Sequence, residues 1–233
     1  FNMEADSLNA AILGEDAAPG TPTFDLFIKE VRREMTTKAG QKCTAIRRII
    51  VPEKYLEDTQ IALGKSLAKT TLGDPAQEGV RMGALVNRSQ MDVVRNRVLE
   101  LAKNTPIVSG SLDQFDVLGA DKSKGAFVPP ILLLNDNPMQ KLDSHEVECF
   151  GPVSTLMPYQ DFDQAIELAK MGKGSLVSTI ATSDVDTATQ YAVEASAYHG
   201  RILVLNEESA PESTGHGSPM PQLMHGGPGR AGG

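Results

Sequence analysis

Cysteine is scarce in this 233-residue chain: Cys43 and Cys149 are the only two. Two are too few for a disulfide scaffold, so a reducing cytoplasm is the default expectation. No run of residues is long and apolar enough to span a bilayer, and no signal peptide is visible. Lys and Arg are nowhere massed, which argues against a nucleic-acid partner. The four histidines, His145, His199, His216 and His225, have no metal-ligand spacing with one another or with the cysteines. No G-x-G-x-x-G follows a strand, so a dinucleotide fingerprint is missing. What remains is ordinary: 40% apolar residues, 22% charged and a net charge of −8. Such a chain is long enough for a real core in one large α/β domain or two small ones.

Periodicity supplies the elements. Asn9 to Leu13 reads as a buried strand closed by Gly14. Thr21 and Pro22 then open a helix with Phe24, Phe27, Ile28, Val31 and Met35 on one face. Ala39-Gly40 is expected to stop it, which puts Cys43 in the loop beyond. A strand at Arg48 to Val51 and a helix at Glu53 to Ala68 follow, then an irregular stretch from Thr70 to Asn87. Ser89 is expected to cap a helix striped by Met91, Val94, Val98 and Leu101. Strands are expected at Pro106 to Ser109, Phe127 to Leu134, Val153 to Pro158, Leu176 to Thr182 and Arg201 to Leu205. Helices opened by Asp161 and by Ser183-x-x-Asp186 fall between the later ones. Strands alternating with amphipathic helices predict a three-layer α/β/α domain with a mostly parallel sheet. Residues 1–205 form that domain in this reading. Residues 206–233, with seven Gly and four Pro, form a loop or tail packed against something else.

Three acid or thiol residues carry the chemical interest. A cysteine thiolate is strongly nucleophilic and forms a hydrolysable thioester, but at an ordinary pKa near ~8.5 little of it is ionised at neutrality. Lys42, Arg47 and Arg48 are placed to favour the anion, and the carboxyl end of the preceding helix to oppose it. Alone, Cys43 reads more readily as a small buried hydrophobe and Glu4 more readily as a solvent-facing acid, while Glu148 reads as a turn acid beside Glu146. Cys149 reads as structural.

Taken together, Met3-Glu4-Ala-Asp, Gly40-Gln41-x-Cys43-x-x-x-x-Arg48 and Glu148-Cys-Phe-Gly-Pro152 resemble the motifs of the aldehyde dehydrogenase superfamily. The resemblance implies that Cys43 is the nucleophile, Glu4 the general base, and Glu148 with Phe150 part of the cofactor site, Glu148 gripping the nicotinamide ribose. Two positions depart from the usual pattern. Thr36 stands where many members carry an aromatic residue, and Glu4 is followed by Ala-Asp-Ser-Leu-Asn rather than Leu-Gly-Gly-Lys. Longer strings, among them Gly73 to Gly79, Ser213 to Pro219 and His225 to Gly233, resemble one branch. In it an aldehyde dehydrogenase half is fused to an enoyl-CoA-hydratase-like half that acts in phenylacetate degradation. That branch implies NADP (or NAD) as cofactor, held mainly by a domain outside this chain. It implies a CoA-linked semialdehyde as substrate, a cytoplasmic setting and a homo-oligomer with exchanged β-arms. The chain is accordingly expected to be an excised catalytic domain, inactive alone, with cofactor-binding and hydratase domains before and after it. The alternatives are a dehydroadipyl-CoA semialdehyde dehydrogenase of benzoate catabolism, or a catalytically inert assembly module. A CoA-phosphate role for the Gly-rich tail ranks below these, since no helix follows the glycines.

Overall fold

The computed structural model describes residues 5–232. Seven strands form one sheet: β1 (Ala10–Leu13), β2 (Arg48–Pro52), β3 (Ile107–Ser109), β4 (Ile131–Leu134), β5 (Val153–Tyr159), β6 (Ser178–Ala181) and β7 (Ile202–Leu205). Their order is β3-β4-β5-β2-β1-β6-β7, and only β3, at one edge, runs antiparallel to its neighbour. The helices are α1 (Pro22–Thr36), α2 (Leu56–Leu67), α3 (Arg88–Leu101), the four-residue α4 (Asp143–Glu146), α5 (Phe162–Lys170) and α6 (Val185–Ala195).

Alternation along the strands separates two cores. Ala11, Leu13, Ile49, Val51 and Leu156 pack with Phe24, Phe27, Val31 and Met35 of α1 and Leu63 and Leu67 of α2. Ala10, Ile12, Ile50, Met157 and Tyr159 face the other way, onto α5 and α6. Val153, Ile131 and Leu133 meet Val94, Val98 and Leu101 of α3. The expected three-layer fold with a mostly parallel sheet is therefore present. Strands buried on both faces read as continuous apolar runs, as Arg48–Pro52 does after its first residue.

Local signals hold with a few corrections. The Thr21 side chain accepts from Phe24 N, as the cap reading requires. Asn87, not Ser89, caps α3 by accepting from Gln90 N. Asp184, not Ser183, caps α6, accepting from the amides of Asp186 and Thr187. In both cases two capping residues stood within three positions of the helix start. Strand β4 begins at Ile131 because Pro129 and Pro130 have no N–H to give a ladder. Helix α1 ends at Thr36, three residues short of the expected stop, and Lys38, Ala39 and Gly40 all take positive φ (53°, 52° and 68°). Left-handed non-glycine residues are costly, so this turn is held by its surroundings. For Gly40 a side chain is impossible anyway: a Cβ there would lie 2.2 Å from Gly151 O.

Arg48 is the largest fully buried side chain. Its guanidinium donates to Leu8 O (2.9 Å), to Leu168 O (2.6 Å) and Ala169 O (2.9 Å) at the carboxyl end of α5, and to His145 Nδ1 (3.1 Å). A cation there answers both the orphan carbonyls and the helix dipole. Burial, with the Arg48 charge alongside, lowers the His145 pKa to about 4. Burial likewise takes His199 down to about 3.

Both histidines bind protons more readily once unfolded. Stability should therefore be intact above an ordinary histidine pKa near ~6.5 and fall as the pH drops from there to about 4, by on the order of 3 kcal/mol for His145 alone. Urea unfolding followed across this window checks it; a midpoint that does not move would contradict the buried neutral state.

Candidate active site

Five chain segments meet at one edge of the sheet, each the segment leading into a parallel strand. Ser7 and Asn9 precede β1, Cys43 to Arg47 precede β2, and Glu148 to Pro152 precede β5. Leu176 and Val177 precede β6, and Arg201 precedes β7.

Asn9 organises the nucleophile loop. Its Nδ2 donates to Cys43 O (2.8 Å) and Ala45 O (2.9 Å), while its Oδ1 accepts from Ser7 Oγ (2.7 Å) and Val177 N (3.2 Å). Its carbonyl accepts from both Arg47 N and Arg48 N. One fully buried amide thus joins three strand-leading segments. Cys43 is exposed at the tip of the loop, so it is not a small buried hydrophobe. Cys149 is buried, and burial pushes its thiol up to about 12, which leaves it inert as a nucleophile.

Arg47 makes the second set of ties. Its Nη1 donates to Gly151 O (2.6 Å), its Nη2 to Gly40 O (2.8 Å) and Lys42 O (3.4 Å), and its Nε to Glu148 Oε1 (3.1 Å). The guanidinium lies 5.5 Å from the Phe150 ring centroid. The carboxylate of Glu148 also accepts from Ser7 N at 3.3 Å through Oε2. Burial raises the Glu148 pKa, and the Arg47 charge and hydrogen bond work against that rise. Cys43, Glu148 and Phe150 line one cavity of about 360 Å³ together with Asp6, Ser7 and Ala231. Two comparable hollows, near Leu67–Pro130 and near Thr36–Val86, contain neither cysteine nor a buried carboxylate.

Glu4 lies outside the described residues; Ala5, Asp6 and Ser7, which follow it, line this cavity. The cations expected to favour the thiolate are committed elsewhere. The Lys42 ammonium pairs with buried Glu34 at 2.7 Å, Arg47 with Glu148, and Arg48 with the end of α5. The tail supplies what sequence reasoning missed. Arg230 forms a two-pronged ion pair with Asp6 and donates to His145 O (3.1 Å) and Glu146 O (2.9 Å). Thr44 Oγ1 donates to Gly217 O at 3.2 Å, and His225 Nε2 lies 3.5 Å from Cys43 Sγ. A polar Asn at the mouth of an apolar strand, and tandem arginines before another, were the signals available for Asn9 and Arg47. The string His225 to Gly233 stood out by its resemblance, but nothing local gave His225 or Arg230 a partner.

The model of the aldehyde dehydrogenase family matches residues 1–216. Over 228 residues the chain is 42% identical to a 3,4-dehydroadipyl-CoA semialdehyde dehydrogenase of Aromatoleum evansii, covering 98% of this chain and 44% of that protein. It is 48% identical over 153 residues to Protein MaoC of Klebsiella aerogenes, covering 65% of this chain and 44% of that protein. Among solved structures, a Staphylococcus aureus betaine aldehyde dehydrogenase in complex with NAD+ superposes with a TM-score of 0.82 at 21% identity, covering 99% of this chain and 43% of that one. The lactaldehyde dehydrogenase of Escherichia coli gives 0.81 at 23% identity, covering 99% and 44%. These two show a shared fold. The chain spans less than half the length of these relatives.

Replacing Arg47 by Lys keeps the charge but loses the planar fork. Stability should fall by about 2–4 kcal/mol, since carbonyls and a carboxylate are left buried without partners. Amide hydrogen exchange should quicken across residues 40–47 and 148–152 while α5 and α6 keep their protection. Unchanged exchange in those two segments would contradict the role given to Arg47.

Proposed function

The chain belongs to the aldehyde dehydrogenase family, and from that premise we propose that it is the catalytic domain of an NADP-linked dehydrogenase. Its substrate in this reading is a CoA-bound semialdehyde, 3-oxo-5,6-dehydrosuberyl-CoA semialdehyde, oxidised to the acid in the cytoplasm by a homo-oligomeric full-length protein. The observation that carries the reaction class is the exposed thiol of Cys43 in one cavity with Glu148 and Phe150. The tail and Gly73–Gly79 strings support the substrate. A second reading, 3,4-dehydroadipyl-CoA semialdehyde, is favoured by the relative of that name matching nearly the whole chain. An inert assembly role fits poorly with an exposed nucleophile beside a buried, arginine-held carboxylate.

The residues present suit a nicotinamide nucleotide. Each Glu148 oxygen accepts one bond from the protein, so lone pairs remain for two ribose hydroxyls. Phe150, 37% exposed, offers a ring face beside it. When bound, the nicotinamide supplies the hydride acceptor that aldehyde oxidation requires.

Cys43 Sγ attacks the aldehyde carbon, forming an S–C bond while the carbonyl oxygen becomes an alkoxide. The backbone N–H of Cys43 serves as one donor to that oxygen. Loss of hydride from the same carbon leaves an acyl thioester on Cys43. Glu4 then takes a proton from water, whose oxygen attacks the thioester carbon, releasing the acid and restoring the thiolate.

In the full-length protein, Cys43→Ser should lower semialdehyde-dependent NADPH formation by at least about a thousandfold. Glu4→Gln should let an acyl adduct accumulate on Cys43, seen as added mass on its peptide after one burst of NADPH. Near-normal turnover by Cys43→Ser would overturn the reading.

A further inference from the structure

The tail carries a side chain onto the thiol. His225 Nε2 stands 3.5 Å from Cys43 Sγ, and on the far side of the ring Nδ1 stands 3.5 Å from Arg201 Nη1. Arg201 is itself anchored, its Nη2 donating to His216 O at 2.9 Å.

The backbone makes this placement specific. Gly226 and Gly227, which follow His225, lie flat on the chain leading into β6 and β7. A Cβ at Gly200 would lie 1.6 Å from Gly226 O, and one at Gly227 would lie 2.4 Å from Ser175 O. Because Gly200 directly precedes Arg201, the same contact that seats the tail also sets Arg201 beside His225. Further along, Ala231 is buried and Arg230 is locked to Asp6.

Donor counting fixes the tautomer of the neutral ring. Arginine has only N–H donors, so Nδ1 must offer its lone pair, and the ring proton of the neutral imidazole then sits on Nε2, aimed at sulfur. The chain shows the same logic at His145, whose Nδ1 faces Arg48 at 3.1 Å while Nε2 faces Pro138 O at 3.0 Å.

We infer that His225 is a catalytic residue that donates its Nε2–H to the Cys43 thiolate as a neutral imidazole, with Arg201 as the positioning residue that fixes its tautomer. This rests on the reading of Cys43 as nucleophile. The other charges facing the pair are accounted for. On the nucleophile loop Lys42 is turned to Glu34, on the segment before β1 Asp6 is bridged to Arg230, and before β5 Glu148 is bridged to Arg47. Among these described residues, Arg201 is the cation left to the pair. With Nδ1 occupied, the proton leaving Cys43 goes to solvent at its exposed face and not to the ring.

The rate of Cys43 alkylation by iodoacetamide, followed by peptide mass across pH in the full-length protein, reads the thiolate directly. It does so whether or not Cys43 supports turnover, so it separates this inference from the reading it rests on, which Cys43→Ser tests. His225→Phe should raise the apparent thiol pKa by about one unit and slow alkylation near neutrality about tenfold. His225→Gln, which keeps an N–H at the position of Nε2, should stay within about a third of a unit of the parent. A Phe variant with the parent profile would overturn the inference. A Gln variant displaced as far as the Phe variant would also overturn it, because the needed feature would then be imidazolium charge and not the N–H.

Discussion

A single desolvated guanidinium holds the two halves of the site together. Arg47 binds the carbonyls of Gly40 and Lys42 on one side and Gly151 O with the Glu148 carboxylate on the other. Removing a charge of this kind from water is costly, and only a full set of partners offsets it. Every donor of Arg47 that reaches a partner therefore fixes where the thiol loop lies relative to the acid. The left-handed turn at Lys38–Gly40 and the absence of a side chain at Gly40 follow from that demand, since Gly40 must come up against the Gly151 carbonyl.

Open α/β sheets usually place ligands outside the carboxyl ends of their strands. Here the cavity opens at the amino ends, the edge at which crossover helices finish. Helix carboxyl ends carry partial negative charge, which accounts for Arg48 on the end of α5; Arg47, next to it in sequence, and Arg201, before β7, lie at the same end of the sheet. With these cations bound to carbonyls, carboxylates and a histidine, the thiol is left facing an imidazole N–H rather than a free ammonium or guanidinium.

Most of the layered fold could be read from local chemistry. Phe24, Phe27, Ile28, Val31 and Met35 share a helical stripe after a Thr-Pro start, and all five are buried. One boundary moved because side chains had replaced backbone partners. The stretch Leu176 to Thr182 reads as a strand, yet pairing begins at Ser178, because the amides of Leu176 and Val177 are taken by Ser7 Oγ and Asn9 Oδ1. Cys43, Glu148 and Phe150 were legible as motif strings, and they share a cavity. Arg47 and Asn9 were not, because burial of a polar group depends on partners contributed by other segments. The tail was least legible of all. His225 meets a residue 182 positions away and Arg230 one 224 away, and no local periodicity encodes such pairings.

The account turns on one thiol and one acid being held in a common cavity by Arg47. A crystal structure of the full-length protein, trapped with a CoA-linked semialdehyde before deacylation, tests this most directly. Continuous density from Cys43 Sγ to the acyl carbon is predicted, with Glu148 in the same cavity and the Arg47 bonds to Gly40 and Gly151 intact. An adduct on another side chain, or a Cys43 loop released from Arg47, would contradict it.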